Sequence, residues 1–254
     1  MGHGLELTKP TRLRLAEAFR HNQRVDYSID CVIEGQMGRA YADDPQRPTA
    51  WRITVGPFWY FAGDADGPGG RALLGEFPAY NLLMPSPPAW IAAARQTFGD
   101  RLVRFPRYSF AADSLSEAHL AGLLDRWPQR ERVRRVDAEL LARPDNFVET
   151  EDFDSPDDFL ARGIGYTLLE GDNLAGAAYS SLVCSRGIEV SLFVAEPYRR
   201  RGVAMALSAA LLLECVRRGL RPNWDAANLE SCSLAEKLGY TSAGTYDSYY
   251  YPAA

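Results

Sequence analysis

Three arginines followed by a glycine stand where a predicted strand passes into a predicted helix. Arg199, Arg200 and Arg201 precede Gly202, with the strand predicted over residues 188–194 and the helix over residues 203–218. The first turn of a helix leaves backbone N–H groups unpaired and carries the positive end of the helix dipole. Glycine lets a phosphate approach the backbone without meeting a Cβ, and arginine adds fixed charge and forked donors. These residue types in this order predict a diphosphate-binding turn.

The spacing around Gly202 excludes two common phosphate-binding loops. A P-loop requires a lysine directly behind its last glycine, and Gly202 is followed by Val203 and Ala204. A dinucleotide-binding turn requires three glycines at fixed spacing, and this turn has only one. A second block of interest follows the helix. It begins at Asn228, continues through Ser231, and ends in Leu-Ala-Glu-Lys-Leu-Gly-Tyr240.

Together the two blocks resemble the GNAT superfamily of acetyl-CoA-dependent N-acetyltransferases. Motif A of that family, R/Q-x-x-G-x-G/A, matches Arg199 to Ala204, and motif B, N-x-x-S-x-x-L-A-x-K-L-G-[FY], matches Asn228 to Tyr240. With Trp224 before the asparagine, the wider pattern resembles most closely the zwittermicin A resistance-type members. The resemblance is strong over residues 163–240 and weaker in the first half. It implies transfer of an acetyl group from acetyl-CoA to a primary amine of a small molecule by direct attack.

The fold that the resemblance implies is α/β (α+β), with a mixed, mostly antiparallel sheet flanked by helices. Alternating strand and helix patterns in the second half agree with it. Because the sequence turns polar and arginine-rich between Asp125 and Val133, we expect a domain boundary near residue 128. Residues 129–254 would form the acetyltransferase domain that binds acetyl-CoA. Residues 1–128 would form an N-terminal α/β domain on the acceptor side, a degenerate GNAT-like half.

Local patterns predict several elements of the first half. The strands are expected over residues 31–33, 50–55, 58–62 and 101–110, and the helices over residues 12–20, 89–98 and 116–126. In the loop segments, Asp43, Asp44, Asp64 and Asp66 are candidate contacts for a cationic acceptor. Solvated turns are the stronger interpretation for these four acids.

The resemblance also assigns coenzyme contacts. The backbone N–H groups of Arg200, Arg201, Gly202, Val203 and Ala204 would hold the diphosphate. The pantetheine arm would lie against Leu192, Phe193 and Val194 like a missing strand, with a β-bulge opening the sheet for the thioester. The N–H near Val194 would polarise the thioester carbonyl. Asn228 would contact the pantetheine, and Ser231, one helical turn further on, would face the same side.

Glu189 is the candidate general base, acting directly or through water, and Asp225 is the second candidate. A solvated strand-end carboxylate fits Glu189 equally well, and a capping role fits Asp225. Ala235 stands where many GNAT enzymes have a general-acid tyrosine. Tyr240, Tyr246 or Ser231 could replace it, or solvent could protonate the thiolate. Core packing remains the alternative for Tyr240.

Composition restricts the binding partners and the cellular compartment that we expect for this chain. The net charge of −5 argues against a general nucleic-acid-binding protein. No secretory leader or membrane-length apolar stretch is visible, so we expect a cytoplasmic protein without a membrane partner. The four cysteines form no C-x-x-C pair and the three histidines share no ligand spacing, so no metal is expected. A homodimer is compatible with the sequence.

Three functions remain open from the sequence. The first is the small-molecule N-acetyltransferase. The second is a non-catalytic acyl-CoA-binding module or sensor, which Ala235 favours. An acyltransferase acting on a protein or a charged tRNA is the third, and the net negative charge weighs against it.

Overall fold

The computed structural model describes residues 4–8 and 14–253 of the 254-residue chain. The chain forms two compact units. One unit ends at Arg107 and includes the chain again from Thr245, and the other runs from Tyr108 to Gly244. This division differs from the predicted one after residue 128, because residues 108–128 belong to the second unit and the chain from Thr245 belongs to the first.

The first half of the chain contains ten of the described helices and strands. In chain order they are β1 Leu5–Glu6, α1 Leu15–Ala18, α2 Ser28–Ile33, β2 Arg39–Ala42, β3 Ala50–Val55, β4 Phe58–Gly63, α3 Pro68–Gly75, β5 Leu82–Leu83, α4 Pro88–Phe98 and β6 Val103–Ala111.

The second half of the chain has more residues in strands and helices than the first half. Its described elements are α5 Glu117–Asp125, β7 Val133–Arg135, α6 Ala138–Leu141, α7 Pro156–Arg162, β8 Gly165–Glu170, β9 Asn173–Cys184, β10 Gly187–Val194, α8 Val203–Arg217, β11 Arg221–Ala226, α9 Leu229–Leu238 and β12 Thr241–Tyr250.

Each unit has a mixed, mostly antiparallel sheet, which confirms the predicted fold class. In the first unit β1 to β4 pair antiparallel in sequence order, and β5 then pairs parallel to β4. In the second unit β7 to β10 pair antiparallel in sequence order, and β11 pairs parallel to β10. In both units a helix connects the two parallel strands, α3 in the first and α8 in the second. The order of elements is therefore repeated.

The last strand of each half contributes to the other unit. Residues 108–110 of β6 pair antiparallel with β11 inside the second unit. Tyr249 of β12 pairs with Leu83 of β5 inside the first unit. A period-two pattern identifies a strand but not its partner, so the sequence could not predict this exchange.

Helix α8 is the centre of the second unit's core. One side, with Val203, Leu207 and Leu211, packs on the sheet through residues such as Ile188, and its other side packs on α5 and α9 through Leu212. Burial on almost every side explains why the helix sequence is apolar nearly throughout. Gly219, with φ +69°, ends the helix in the left-handed conformation that glycine adopts without strain.

One predicted strand is wrong. Residues 31–33 belong to helix α2, where Ile29, Cys31 and Val32 are all buried. A short apolar run does not by itself distinguish a buried strand from a buried helical turn. Of the predicted helix over residues 12–20, residues 15–18 form α1, and residues 12 and 13 lie outside the described residues. Within the described part of the chain, no helix is long and apolar enough to cross a membrane.

Candidate functional site

Strands β10 and β11 diverge soon after they begin. They pair parallel only where Gly187, Ile188 and Glu189 face residues 221–223. Strand β10 continues to Val194. Beyond Asn223, β11 no longer pairs with β10 and instead pairs with β6, for example through Trp224 and Phe110. Over residues 4–8 and 14–253, no strand pairs with β10 on this side beyond Glu189. A wedge-shaped gap therefore opens in the sheet after Glu189.

The backbone of β10 presents hydrogen-bonding groups to this gap. On the other side β10 pairs with β9, and Ala195 N–H donates to the carbonyl of Ala175 at 2.9 Å. Antiparallel pairing alternates along a strand, so Phe193 also directs its backbone groups to β9, whereas Leu192 and Val194 direct theirs away from it. An extended chain lying in the gap would contact the backbone groups of Leu192 and Val194.

A β-bulge lies next to the gap, as predicted, but on the neighbouring strand. The β9–β10 register shifts between Glu189 and Val190, where Leu182 and Ser180 are the successive partners. Ser181 is therefore the additional residue, and it belongs to β9. Its hydroxyl donates to the Glu189 carbonyl at 3.4 Å.

The turn between β10 and α8 has the geometry of an anion cradle. Arg200 has φ +59° and Gly202 has φ +82°, and no side chain caps the start of α8. Alternating backbone conformations of this kind turn successive N–H groups to one side. A Cβ on Gly202 would lie 2.6 Å from Cζ3 of Trp127. Only glycine fits here, because of both its φ and its neighbour.

The three arginines of the turn are accessible to solvent. Arg199 Nε donates to the Val194 carbonyl at 3.0 Å, which holds the turn against the end of β10. Arg200 lies 4.0 Å from Glu230, with both side chains about nine-tenths exposed, and Arg201 stacks over Tyr198. Surface pairs of this kind are weak, so Arg200 is available to an anionic ligand.

Glu189 is buried rather than solvated. Its side chain lies on the face of the sheet opposite α8, and Asn223 Nδ2 donates to both carboxylate oxygens at 3.0 and 2.9 Å. Asp225 lies two residues beyond Asn223 on β11 and, by strand alternation, on the same face. The two candidate bases thus lie on opposite sides of the gap.

The motif B residues have clear structural contacts. Asn228 caps α9 by accepting from Ser231 N–H at 2.9 Å, and the Ser231 hydroxyl accepts from Trp224 Nε1 at 3.1 Å. Tyr240 is buried, and its hydroxyl donates to the Pro222 carbonyl at 3.1 Å. These contacts favour a packing role for Tyr240.

Tyr246 and the position of the family's general-acid tyrosine, which is Ala235 in this chain, are also buried. Ala235 is fully buried in the core formed by α8, α9 and β11. Tyr246 belongs to the first unit and is buried there.

A cavity of about 480 Å³ lies on the same face of the sheet as Glu189, and the sequence did not indicate it. The β10 residues Ser191, Leu192 and Phe193 form one wall, Tyr179 of β9 lies beside them, and the opposite wall is the segment from Arg143 to Glu151. Ser191 and Tyr179 are cross-strand partners. Acids in a loop carry no periodic signal, so only the folded chain brings these residues together.

Three of the four acids proposed in the first half have structural roles. Burial raises the pKa of Asp43, but the Thr49 hydroxyl and the backbone N–H groups of Ala50 and Thr49 donate to its carboxylate and together bring the pKa below its usual value. Asp44 and Asp64 each accept from two backbone N–H groups just after them in sequence. Such contacts are typical of Asx turns, as the stronger interpretation expected. Asp66 is exposed in the same loop.

Comparison with known proteins identifies the family. The family model described as GNAT acetyltransferase matches residues 18–249, which include both units. The chain belongs to the GNAT acetyltransferase family. It is an enzyme of the N-acetyltransferase class, and the GNAT fold inferred from motifs A and B is confirmed.

Individual GNAT relatives agree over the full length. A GCN5-related N-acetyltransferase-like protein from Streptococcus suis 89/1591 is 30% identical with a TM-score of 0.83, covering 96% of this chain and 100% of the other. The uncharacterized N-acetyltransferase YdfB from Bacillus subtilis (strain 168) is 24% identical, covering 96% of this chain and 97% of its own. A tandem GNAT protein from the clavulanic acid biosynthesis pathway shares the fold, at 12% identity and a TM-score of 0.58, with 96% of each chain covered. The repeated order of elements is consistent with such a tandem arrangement.

Proposed function

We propose that this GNAT enzyme transfers the acetyl group of acetyl-CoA to the primary amine of a small molecule. One observation carries the proposal: the gap beside Leu192 and Val194 leads directly to the uncapped start of α8 at Gly202. The backbone groups that would contact an extended pantetheine arm are therefore followed directly by the N–H groups that would bind the diphosphate. This combination fits the shape and charge of a coenzyme A thioester.

Binding would divide between backbone and side chains. The N–H groups from Arg200 to Ala204 would hold the diphosphate, and the exposed guanidinium groups of Arg200 and Arg201 would add charge. The backbone groups of Val194 and the carbonyl of Leu192 would pair with the amides of the pantetheine arm. Asn228 would bring its side-chain amide to the same arm while its oxygen caps α9.

The chemistry would then take place near the narrow end of the gap. Glu189 would accept a proton from the acceptor ammonium, directly or through one water, and the neutral nitrogen would attack the thioester carbonyl carbon. The Leu192 N–H, which faces the gap and lies nearer to Glu189 along β10 than Val194 does, would stabilise the oxyanion. As the C–N bond forms and the C–S bond breaks, the nitrogen loses its second proton to solvent, and solvent supplies the proton for the departing thiolate. Solvent is favoured over Tyr240 because the buried Tyr240 hydroxyl already donates its proton to the Pro222 carbonyl.

Asp225 is the alternative base within the same mechanism. It lies on the same face of the sheet as Glu189 and across the gap from it. The Asn223 contacts orient Glu189 and keep it beside the narrow end of the gap, which favours Glu189. The resemblance to zwittermicin A resistance-type members supports an aminated natural product as acceptor. We also propose the cytoplasm as the compartment, where thiols such as Cys31 stay reduced.

A non-catalytic acyl-CoA-binding protein is the second candidate, and Ala235 is the observation that favours it. Two measurements separate the candidates. Isothermal titration calorimetry with acetyl-CoA should give saturable 1:1 binding under either function. Release of free CoA thiol, recorded with and without a panel of amines, should rise with amine only for the transferase. Binding without amine-dependent thiol release across the panel would support the sensor instead.

A further inference from the structure

The cavity on the Glu189 face has a net negative charge among the residues that line it. Arg143 is the one basic residue there, and its guanidinium pairs with both oxygens of Asp145, at 2.8 and 2.9 Å. The two acids in the lining, Glu149 and Glu151, are exposed. Glu149 accepts from the Tyr179 hydroxyl at 3.3 Å, and no ion pair is described for Glu151 within residues 4–8 and 14–253. Two carboxylates therefore line the cavity, and the guanidinium of its one basic residue is paired with Asp145.

An aromatic wall adjoins these carboxylates. Phe147 and Phe193 are in contact, with ring centroids 4.7 Å apart, and Phe193 is 43% exposed. The two rings together form an apolar wall of the cavity next to its carboxylates. Aromatic faces also attract cations. The wall thus suits a ligand that has both an apolar stretch and a positive charge.

The charge of the cavity fits a group that stays protonated. A carboxylate that does not act as the base stabilises the charged form of a nearby ammonium. Glu149 and Glu151 line the cavity with Ser191 and Phe193, away from Glu189, so they would hold a second nitrogen that does not react. The reacting nitrogen would lie beside Glu189. At the rise of a strand, Ser191 and Phe193 lie roughly 7 and 13 Å further along β10.

Tyr179 fixes the position of Glu149. The tyrosine is buried, and its backbone belongs to the centre of β9. Burial, with the nearby charge of Glu149, raises the pKa of Tyr179 to about 12, although the Ser191 hydroxyl counteracts this. The hydroxyl therefore remains a donor to Glu149 at physiological pH.

We propose that this cavity binds a second, distal cationic group of the acceptor, so that the preferred substrates are diamines with an apolar spacer. Glu149 is the main contact for the distal ammonium, and Phe147 and Phe193 contact the spacer. This inference rests on the proposed transferase function, because it assumes that the other amine is acetylated at the gap.

The test compares 1,6-diaminohexane with 1-aminohexane, which share a chain length and differ in the distal ammonium. The wild-type kcat/KM should be clearly higher for the diamine. Glu149→Gln should lower kcat/KM for the diamine by about fivefold, as for a partly exposed ion pair, and leave the monoamine within twofold. Tyr179→Phe should shift the diamine value in the same direction. Glu131→Gln, an exposed acid outside the cavity, is the matched control and should change neither value.

The outcomes separate this inference from the proposed function. Equal wild-type rates for diamine and monoamine, or an equal loss for both in Glu149→Gln, would overturn the cavity assignment while the transferase function stands. Calorimetry with acetyl-CoA on each variant provides the independent check. Unchanged acetyl-CoA affinity in Glu149→Gln would confirm that the effect arises at the acceptor, and a lost affinity would contradict the assignment.

Discussion

Replacing Gly202 by alanine is the sharpest single perturbation of the proposed coenzyme site. The residue has φ +82°, and left-handed backbone costs a non-glycine residue about 1–2 kcal/mol. The added methyl would also lie 2.6 Å from the Trp127 ring, so either the indole or the turn must move. Movement of the turn would misalign the N–H groups at the start of α8.

The expected effect on binding follows from those N–H groups. A hydrogen bond to a charged partner contributes about 1.5–3 kcal/mol. Loss of one such bond to a diphosphate therefore raises the Kd for acetyl-CoA by roughly 10- to 100-fold. Isothermal titration calorimetry measures the Kd, and urea unfolding of the same protein measures the cost in stability.

Gly219→Ala is the matched control. Gly219 has φ +69° at the other end of the same helix, and a Cβ there would have nothing within 4 Å. The control should lose about 1–2 kcal/mol of unfolding free energy and keep the wild-type Kd. If Gly202→Ala is destabilised but binds acetyl-CoA as tightly as wild type, the turn does not hold the diphosphate and the reasoning fails.

Three further predictions address other residues. Glu189→Gln should lower kcat at pH 7 by about 100-fold without changing the Kd for acetyl-CoA, as expected for a general base; kinetics from pH 7 to 10 should show the deficit shrinking as the amine loses its proton to solvent. Asn228→Asp should keep the cap of α9 and its stability but weaken acetyl-CoA binding, whereas Asn228→Ala should also cost about 1 kcal/mol in urea unfolding. In Asp145→Asn the lost group is a carboxylate whose pKa the Arg143 hydrogen bonds lower from 3.8 to about 2. Its contribution is present above the unfolded pKa and lost as the pH falls through the folded one, so unfolding free energies should differ at pH 6 and converge near pH 2.

Each of these predictions has a result that contradicts it. A Glu189→Gln deficit that is constant from pH 7 to 10 would argue against proton removal by that carboxylate. Equal acetyl-CoA affinity in Asn228→Asp and wild type would leave the residue a cap only. A stability difference for Asp145→Asn that persists unchanged at pH 2 would mean that packing, rather than charge, is responsible.

The elements around the coenzyme site could be predicted closely from local sequence. Helix α9 runs from Leu229 to Leu238, as predicted, because Asn228 begins it and Gly239 ends it. Helix α8 was likewise predicted within one residue, since Gly202 and Gly219 mark its two ends. Caps and left-handed glycines are short-range signals, and a motif composed of them is readable without the fold.

Features that depend on distant partners could not be predicted. The position of Glu189 beside Asn223 results from a parallel pairing across α8, and a solvated carboxylate fitted the sequence equally well. The contact of Trp127 with Gly202 joins residues from separate elements. The cavity acids lie in a loop whose partner strands begin more than twenty residues later. Local patterns carry no information on such contacts, and the predicted domain boundary differed from the observed division for the same reason.

A crystal structure with acetyl-CoA bound is the most direct measurement of the central proposal. We expect the diphosphate oxygens within about 3 Å of the N–H groups of Gly202 to Ala204, with the pantetheine amides on the backbone of Leu192 and Val194. Coenzyme bound elsewhere, with the gap between β10 and β11 empty and these backbone groups facing solvent, would contradict it.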